Sequence, residues 1–314
     1  MAIFTYALNG PMPEACLRSI LTIGNFDGVH LGHQALLSET NCLMRALDGS
    51  AVAVTFDPHP SRLLRPDLVG QPLTTIADRC TLLTQQGADH VLILQTSPAL
   101  LQLSPREFFE RIIIDQLQAR ALVEGANFGF GRNREGTVEV LQSLCAEKNL
   151  PLSLVPPREV AGQAVSSSRV RADLLAGNVD VVAQLLGRPY RLAGVVGTGQ
   201  KRGATLGFPT ANLHEIATLI PGNGVYAVRA HFDGKTWPAA ANVGPNPTFG
   251  ENARKVEVHL IGFSGQLYDQ SLAVDFVKKI RDTKPFGSAQ ELAAQIQRDV
   301  DDVRRILNVS PLAT

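Results

Sequence analysis

Leu21-Thr22-Ile23-Gly24-Asn25-Phe26-Asp27-Gly28-Val29-His30-Leu31-Gly32-His33 reads as a short apolar strand, a glycine-bearing turn and the opening of a helix. The residues beyond it extend that reading: Leu36, Leu37, Thr40, Leu43, Met44 and Leu47 recur at helical spacing, and residues 51–56 are a second β-rich run. Strand, helix and strand make one βαβ unit, which calls for a parallel sheet. Residues 91–94 and 121–123 read as further buried strands. Between them, Ser104-Pro105-Arg106-Glu107 is a capping box with proline at the first helical position, and its helix is expected to turn Phe108, Ile112 and Ile113 inward. The first half is therefore expected to be a doubly wound α/β domain.

Past that half the pattern changes. Two short helical stretches within residues 169–186 are split by Gly177-Asn178, and after Pro189-Tyr190 the β-type runs dominate: residues 192–196, 224–232, 237–243, 255–262 and 272–278. Short strands separated by glycine and proline turns predict a small antiparallel β-barrel. A closing helix starts at a second capping box, Ser288-Ala289-Gln290-Glu291, and presents Leu292, Ile296, Val300, Val303 and Leu307 on one face. The expected domains are residues 1–185 and 186–314, in keeping with 314 residues at roughly 150 per domain.

Composition narrows the class. Apolar residues make up 45% and charged residues 18%, which is globular, and 29 Lys+Arg against 29 Asp+Glu leave no global basic field to hold nucleic acid or an anionic membrane. Any anionic ligand must be held locally. No apolar run approaches the ~20 residues that span a bilayer, and the N-terminal residues show no secretory signal, so the expected location is the cytoplasm. Cys16, Cys42, Cys80 and Cys145 are scattered without C-x-x-C spacing and are expected to be reduced. Nothing in the pattern sets an oligomeric state.

In a doubly wound sheet, ligands bind where the Gly24–His33 segment lies, outside the carboxyl end of a strand. A helix N-terminus offers free N–H groups and partial positive charge, and Gly28 and Gly32 let a phosphate approach. His30 and His33, three apart, share one face of the first turn. A half-built metal site and a purely capping role are the rival readings, and no cysteine or carboxylate at ligand spacing favours the metal. The H-x-G-H form resembles the nucleotide-binding signature of class I nucleotidylyltransferases. Three other segments fall at expected strand ends or helix starts: Thr55-Phe56-Asp57-Pro58-His59-Pro60, residues 125–131 and residues 165–171. Each alone is also ordinary turn or cap punctuation.

In the barrel half, residues 197–212 combine a basic glycine loop with Pro209-Thr210-Ala211-Asn212. The Walker pattern is absent, so a P-loop kinase is not expected. Thr210 and Asn212 alternate around Ala211 and offer two hard oxygen ligands that suit Mg²⁺, with a strand-end hydrogen-bond pair as the equal alternative.

Taken in order, GNFDGVHLGH, TFDPHP, NFGFG, SSSRVR, LLGRPYRLAG, LGFPTANL, PGNGVYAV, NVGPNPTFG and KVEVHL resemble, along nearly the whole chain, the bacterial bifunctional riboflavin kinase/FAD synthetase family. The resemblance implies a Rossmann-like nucleotidylyltransferase domain that adenylylates FMN to FAD, then a barrel that phosphorylates riboflavin to FMN, both with ATP and Mg²⁺. It implies that His30 and His33 act catalytically on ATP phosphates, with Gly24, Phe26, Asp27, Gly28, Gly32, Ser167, Ser168, Arg171 and Gly203 binding ATP or its phosphates. Asn127 and Asp57 are implied flavin contacts, Thr210 and Asn212 the Mg²⁺ residues, and Glu257 the base for the ribityl hydroxyl. Three positions depart from the family pattern: Thr198 replaces a frequent histidine, Asn127 a common aspartate and Ser168 a usual threonine. Lys201 and Arg202 are the loop cations expected to compensate for Thr198. The alternatives are a non-catalytic or single-activity flavin- or nucleotide-binding homologue, and an aminoacyl-tRNA synthetase relative that the neutral charge and the lack of a lysine-rich second signature disfavour.

Overall fold

The computed structural model describes residues 2–64, 70–199, 203, 206–246 and 251–309. The described residues up to Gly70 together with Thr74–Ser166 form one compact unit; Gln71–Leu73 and the described residues from Ser167 onward form another.

In chain order, the first unit carries β1 (Ala2–Tyr6), β2 (Ile20–Ile23), α1 (Leu31–Leu47), β3 (Ala51–Asp57), α2 (Pro60–Leu64), α3 (Ile76–Gln85), β4 (His90–Gln95) and α4 (Pro98–Leu101). Then come α5 (Pro105–Phe108), which runs into a π-helical stretch Phe109–Gln116, β5 (Ala121–Gly125), α6 (Val138–Glu147), β6 (Leu152–Val155) and a small hairpin of β7 (Glu159–Val160) and β8 (Gln163–Ala164). The sheet order is β1-β4-β3-β2-β5-β6, every pair parallel. The chain leaves β2 toward β3 on one side and later returns at β5 on the other. That reversal makes the gap between β2 and β5 the switch point where such sheets take ligands.

Strand alternation sorts the core into two faces. Leu21, Ile23, Val52, Val54, Leu92 and Leu94 pack with Phe108, Phe109, Ile112, Ile113, Leu141 and Leu144. On the opposite face Ala53 and Val91 meet Leu37, Cys80 and Leu83, while Ile20, Ala121 and Val123 meet Leu36, Leu43, Met44 and Leu47. The expected capping box at Ser104–Glu107 is present, with proline at its first turn. The edge strands β1 and β6 and the helices α3 and α6 add to the pattern expected from sequence.

The second unit carries α7 (Ser167–Ala176), α8 (Val179–Leu186), β9 (Tyr190–Gly197), β10 (Ala211–His214), β11 (Gly224–Phe232), β12 (Lys235–Asn246), β13 (Glu251–Leu260), β14 (Ser271–Arg281) and α9 (Ala289–Leu307). Its strands close a barrel in the order β10-β13-β12-β11-β14-β9, antiparallel throughout, with β9 pairing back onto β10. Val300, Val303 and Leu307 of α9 lie against Ala227, Ile261 and Phe208. The box at the start of α9 is offset: Ser288 caps the Glu291 amide, but the Glu291 carboxylate takes the Gly287 N–H instead of the Ser288 one. The unit boundary precedes the composition break at Leu186 because α8 buries Val179, Val182, Leu185 and Leu186 against β9 and β14. Among the described residues no helix is long and apolar enough to cross a membrane, and all four cysteines are free.

Two candidate active sites

In the first unit the turn after β2 is built tightly. Phe26, Gly28 and Val29 all have positive φ, a strained conformation for the two with side chains that persists only where neighbours over-determine it. Those neighbours are visible. The Phe26 ring is fully buried, and a Cβ on Gly24 would stand 3.3 Å from that ring. Asp27 Oδ1 accepts from the Thr74 amide and hydroxyl at 3.1 Å each, the Thr74 hydroxyl accepts from the Gly28 amide at 3.2 Å, and the buried Arg79 guanidinium lies 3.6 Å from Asp27. Arg79 also reaches Thr55 Oγ1 and the Phe56 carbonyl at 3.4 Å. Phe26 and Asp27, read from sequence as ATP contacts, thus turn their side chains into the protein and shape the turn. Thr74 and Arg79 carried no signal in their own segments, because their role depends on a partner about fifty residues away.

His30 is the N-cap of α1, its Nδ1 accepting from the His33 amide at 3.4 Å. That bond makes Nδ1 the unprotonated nitrogen and puts the ring proton on Nε2. The two imidazoles stack at 3.6 Å with 18° between planes, and His33 meets the edge of Phe26 at 5.1 Å. Gly32 is glycine for a packing reason: a Cβ there would lie 3.0 Å from His30 Cε1. Burial first, then His30 and Arg79, hold the His33 pKa well below its ordinary value, so His33 is neutral at pH 7. His33 Nδ1 and Asn25 Oδ1 are buried without hydrogen-bond partners. The orphaned His33 ring nitrogen beside a helix N-terminus at a switch point fits an anionic nucleotide.

Asp57 ends β3, exposed, its carbonyl accepting from Thr96 N at 2.9 Å. Asn127 is exposed beyond β5, its carbonyl taking Arg134 Nη2 at 3.4 Å, beside Phe128 stacked on Phe130. Ser167, Ser168 and Arg171 lie in the first turns of α7, in the second unit.

In the barrel, register does what spacing alone could not. Glu257 on β13 stands directly opposite Asn212 on β10 and, on its other side, Asn242 on β12. Asn242, unassigned from sequence, therefore flanks the same carboxylate. A Cβ on Gly199 would press on the Asn212 amide and push it aside, and a Cβ on Gly203 would meet the Phe208 carbonyl and reach Thr210 Oγ1 at 3.4 Å. The Pro209 carbonyl accepts from His259 Nδ1 at 2.8 Å, and the His259 ring meets Phe208 edge-on at 5.6 Å, which ties the Thr210 segment to β13. Lys201 and Arg202 lie outside the described residues. Thr210 and Asn212 are a sparse all-oxygen donor set, which fits Mg²⁺, a cation that keeps waters and phosphate oxygens around one or two protein ligands. Among the described residues no cluster of three His, Cys, Asp or Glu suits a metal.

Comparison with known proteins also divides the chain in two. Residues 13–169 match the family model described as FAD synthetase, and residues 186–307 match the one described as riboflavin kinase. A bifunctional riboflavin kinase/FMN adenylyltransferase of Pseudomonas fluorescens is 38% identical over 91% of this chain and 92% of its own. The enzymes of the same name from Escherichia coli (strain K12) and Bacillus subtilis (strain 168) are 35% and 32% identical, over 91% and 93% of this chain and the same shares of their own. A crystal structure from Streptococcus pneumoniae, described as a macrolide-efflux protein, superposes with a TM-score of 0.85 at 31% identity, covering 96% of this chain and 98% of the other.

Proposed function

The chain belongs to the bifunctional riboflavin kinase/FMN adenylyltransferase family, and from that premise we propose how its own residues divide the work. It makes FMN from riboflavin and FAD from FMN, with ATP as co-substrate in both steps. The observation that carries the division is that the stacked histidine turn falls within residues 13–169, whereas the Asn212–Glu257–Asn242 row falls within residues 186–307.

Riboflavin phosphorylation begins from a neutral alcohol, which must lose a proton as it attacks the γ-phosphorus of ATP. In this reading Glu257 accepts that proton, and Asn212 and Asn242 on either side orient it. Thr210 and Asn212 would hold Mg²⁺, which when bound neutralises phosphate charge. Gly199 and Gly203 keep the loop backbone close enough for phosphates to reach that pair.

Adenylyl transfer needs no such base. An FMN phosphate oxygen is already an anionic nucleophile; it attacks the α-phosphorus of ATP and pyrophosphate leaves. Such transfers rest on positioning and charge stabilisation. The first-turn amides of α1 and the ring N–H groups of His30 and His33 supply it, with Asp57 and Asn127 as flavin contacts. The reading includes action in the cytoplasm, supported by the free cysteines.

Purified protein with riboflavin, ATP and Mg²⁺, its products resolved by chromatography, tests this. FMN followed by FAD is expected. A protein that forms only one of the two, or neither, overturns the bifunctional assignment.

A further inference from the structure

Glu124 is an acid where the fold asks for an apolar residue. It lies in β5 among Ala121, Leu122 and Val123, and 1% of it is exposed. Buried carboxyl groups persist where they satisfy a buried partner, and this one does: Glu124 Oε1 accepts from the Ile23 amide at 2.8 Å. Backbone pairing between β2 and β5 runs only through Ile20–Ala121 and Leu21–Leu122. The Gly24 amide bonds to the Val54 carbonyl on β3. Alternate amides of a strand face opposite neighbours, so the Ile23 amide faces β5. A side chain thus extends the β2–β5 junction one step past the backbone ladder.

We propose that Glu124 is a positioning residue for adenylyl transfer: its side-chain oxygen pins the last peptide of β2 at the switch point, and so sets where the Gly24–His33 turn presents its donors. The proposal rests on the reading of this turn as the adenylyltransferase site. The geometry favours it because the pinned peptide directly precedes the turn. Ile23 is held to β5 and Gly24 to β3, so two successive amides are anchored on two sides. Immediately beyond them come the positive-φ residues Phe26, Gly28 and Val29 and then the His30 cap. Burial raises the Glu124 pKa well above the carboxylate range, which favours the neutral acid, and its Oε1 accepts in that form as well. On the α6 side, burial raises the Cys145 thiol to about 11.

The test uses the full chain and three variants. Glu124→Gln keeps an acceptor at the same reach, Glu124→Leu removes it, and Glu124→Asp keeps a carboxyl one methylene too short for the Ile23 amide. FMN adenylylation by Glu124→Gln is expected within about threefold of wild type. Glu124→Leu and Glu124→Asp are expected to lose about 10- to 100-fold in kcat, the scale of a small misplacement at a reacting centre. ATP binding should persist and riboflavin phosphorylation by the same polypeptide should be unchanged. Should Glu124→Leu fail to fold, Glu124→Asp against Glu124→Gln carries the comparison. Wild-type rates in a folded Glu124→Leu or Glu124→Asp protein would overturn the role, and so would a Glu124→Gln protein as slow as the other variants, since that would mean the acidic proton matters and not the acceptor. A wild-type chain that makes no FAD at all overturns both this inference and the reading beneath it.

Discussion

Asn212 and Glu257 are direct Cα partners across the β10–β13 ladder, and Asn242 of β12 pairs with the same glutamate from the other side. A carboxylate whose two cross-strand neighbours are amide side chains has hydrogen-bond donors within reach on both flanks. Glu257→Gln retains shape and hydrogen bonding but not proton affinity. Riboflavin phosphorylation is expected to fall by about 10²-fold or more, the scale of a lost general base, while supplied FMN is still converted to FAD at the wild-type rate. Product chromatography on both substrates reads the two rates; an unchanged kinase rate would make Glu257 an ordinary strand residue.

The stacked pair in the other unit yields a complementary expectation. His30 caps α1 and also sets the space beside Gly32, so His30→Ala confounds a lost cap with a lost donor. Asparagine keeps the cap. The double variant His30→Asn, His33→Ala should therefore stay folded, make FMN normally and form no detectable FAD. Equal loss of both products in a folded protein would count against separate sites.

Much of this architecture was legible because period and punctuation agree locally. α1 repeats its apolar positions at helical spacing behind a glycine turn, and the barrel strands follow one another between glycine and proline breaks. β1 and β6 were harder to see, since an edge strand is only partly covered and lacks a continuous apolar run; β1 alternates and β6 is half-buried throughout. At the candidate sites, His30, His33, Thr210 and Asn212 stand out by their own motifs, and Glu257 through the family resemblance. Residues defined by a distant partner do not stand out. Arg79 matters through Asp27, Asn242 through its register with Glu257, and Glu124 through an amide 101 residues away.

Two buried groups give the first unit opposing pH responses. The folded pKa of His33 is lowered, so its contribution is present above the unfolded value of about 6.5 and is lost as pH falls toward the folded pKa. That of Glu124 is raised, so its contribution is present below about 4.3 and is lost as pH rises through the folded pKa. Between those two unfolded values the slopes, each at most about 1.4 kcal/mol per pH unit, oppose one another. Denaturant melts of the first unit should show Glu124→Gln gaining stability with rising pH across that window and His33→Asn losing it. Parallel pH curves for both variants and wild type would show that neither group titrates as the structure implies.

Asp27 and Arg79 form a buried pair at 3.6 Å that also holds Thr74. Asp27→Ala strands a buried cation, and breaking such a pair typically costs about 3–5 kcal/mol. The expected outcome is a lowered unfolding midpoint for the first unit and reduced FAD synthesis, with riboflavin phosphorylation retained. Asp27→Asn, which keeps an acceptor for Thr74, should lose less. Full stability in Asp27→Ala would mean that the turn is held by packing of Phe26 alone.

The last expectation concerns where the barrel unit begins. The two family matches leave residues 170–185 outside both, yet the structure gives that stretch to the second unit. Val179, Val182 and Leu185 are fully buried there, and the Gly222 amide donates to the Leu174 carbonyl at 2.8 Å, next to the Gly222 carbonyl that takes the Tyr226 hydroxyl. Removing α7 and α8 deletes these three aliphatic side chains, each worth about 1.5–3 kcal/mol when buried, and uncovers the β9 and β14 surface they cover. Their sum is comparable to the whole ~5–15 kcal/mol that stabilises a domain. A fragment of residues 167–314 is therefore expected to fold, phosphorylate riboflavin and make no FAD, whereas one of residues 186–314 should be markedly less stable or aggregate. Thermal melts by circular dichroism with the flavin assay compare the two. Equal melting temperatures would make the α7–α8 pair a mere connector, and an inactive but folded longer fragment would show that the kinase needs residues of the first unit.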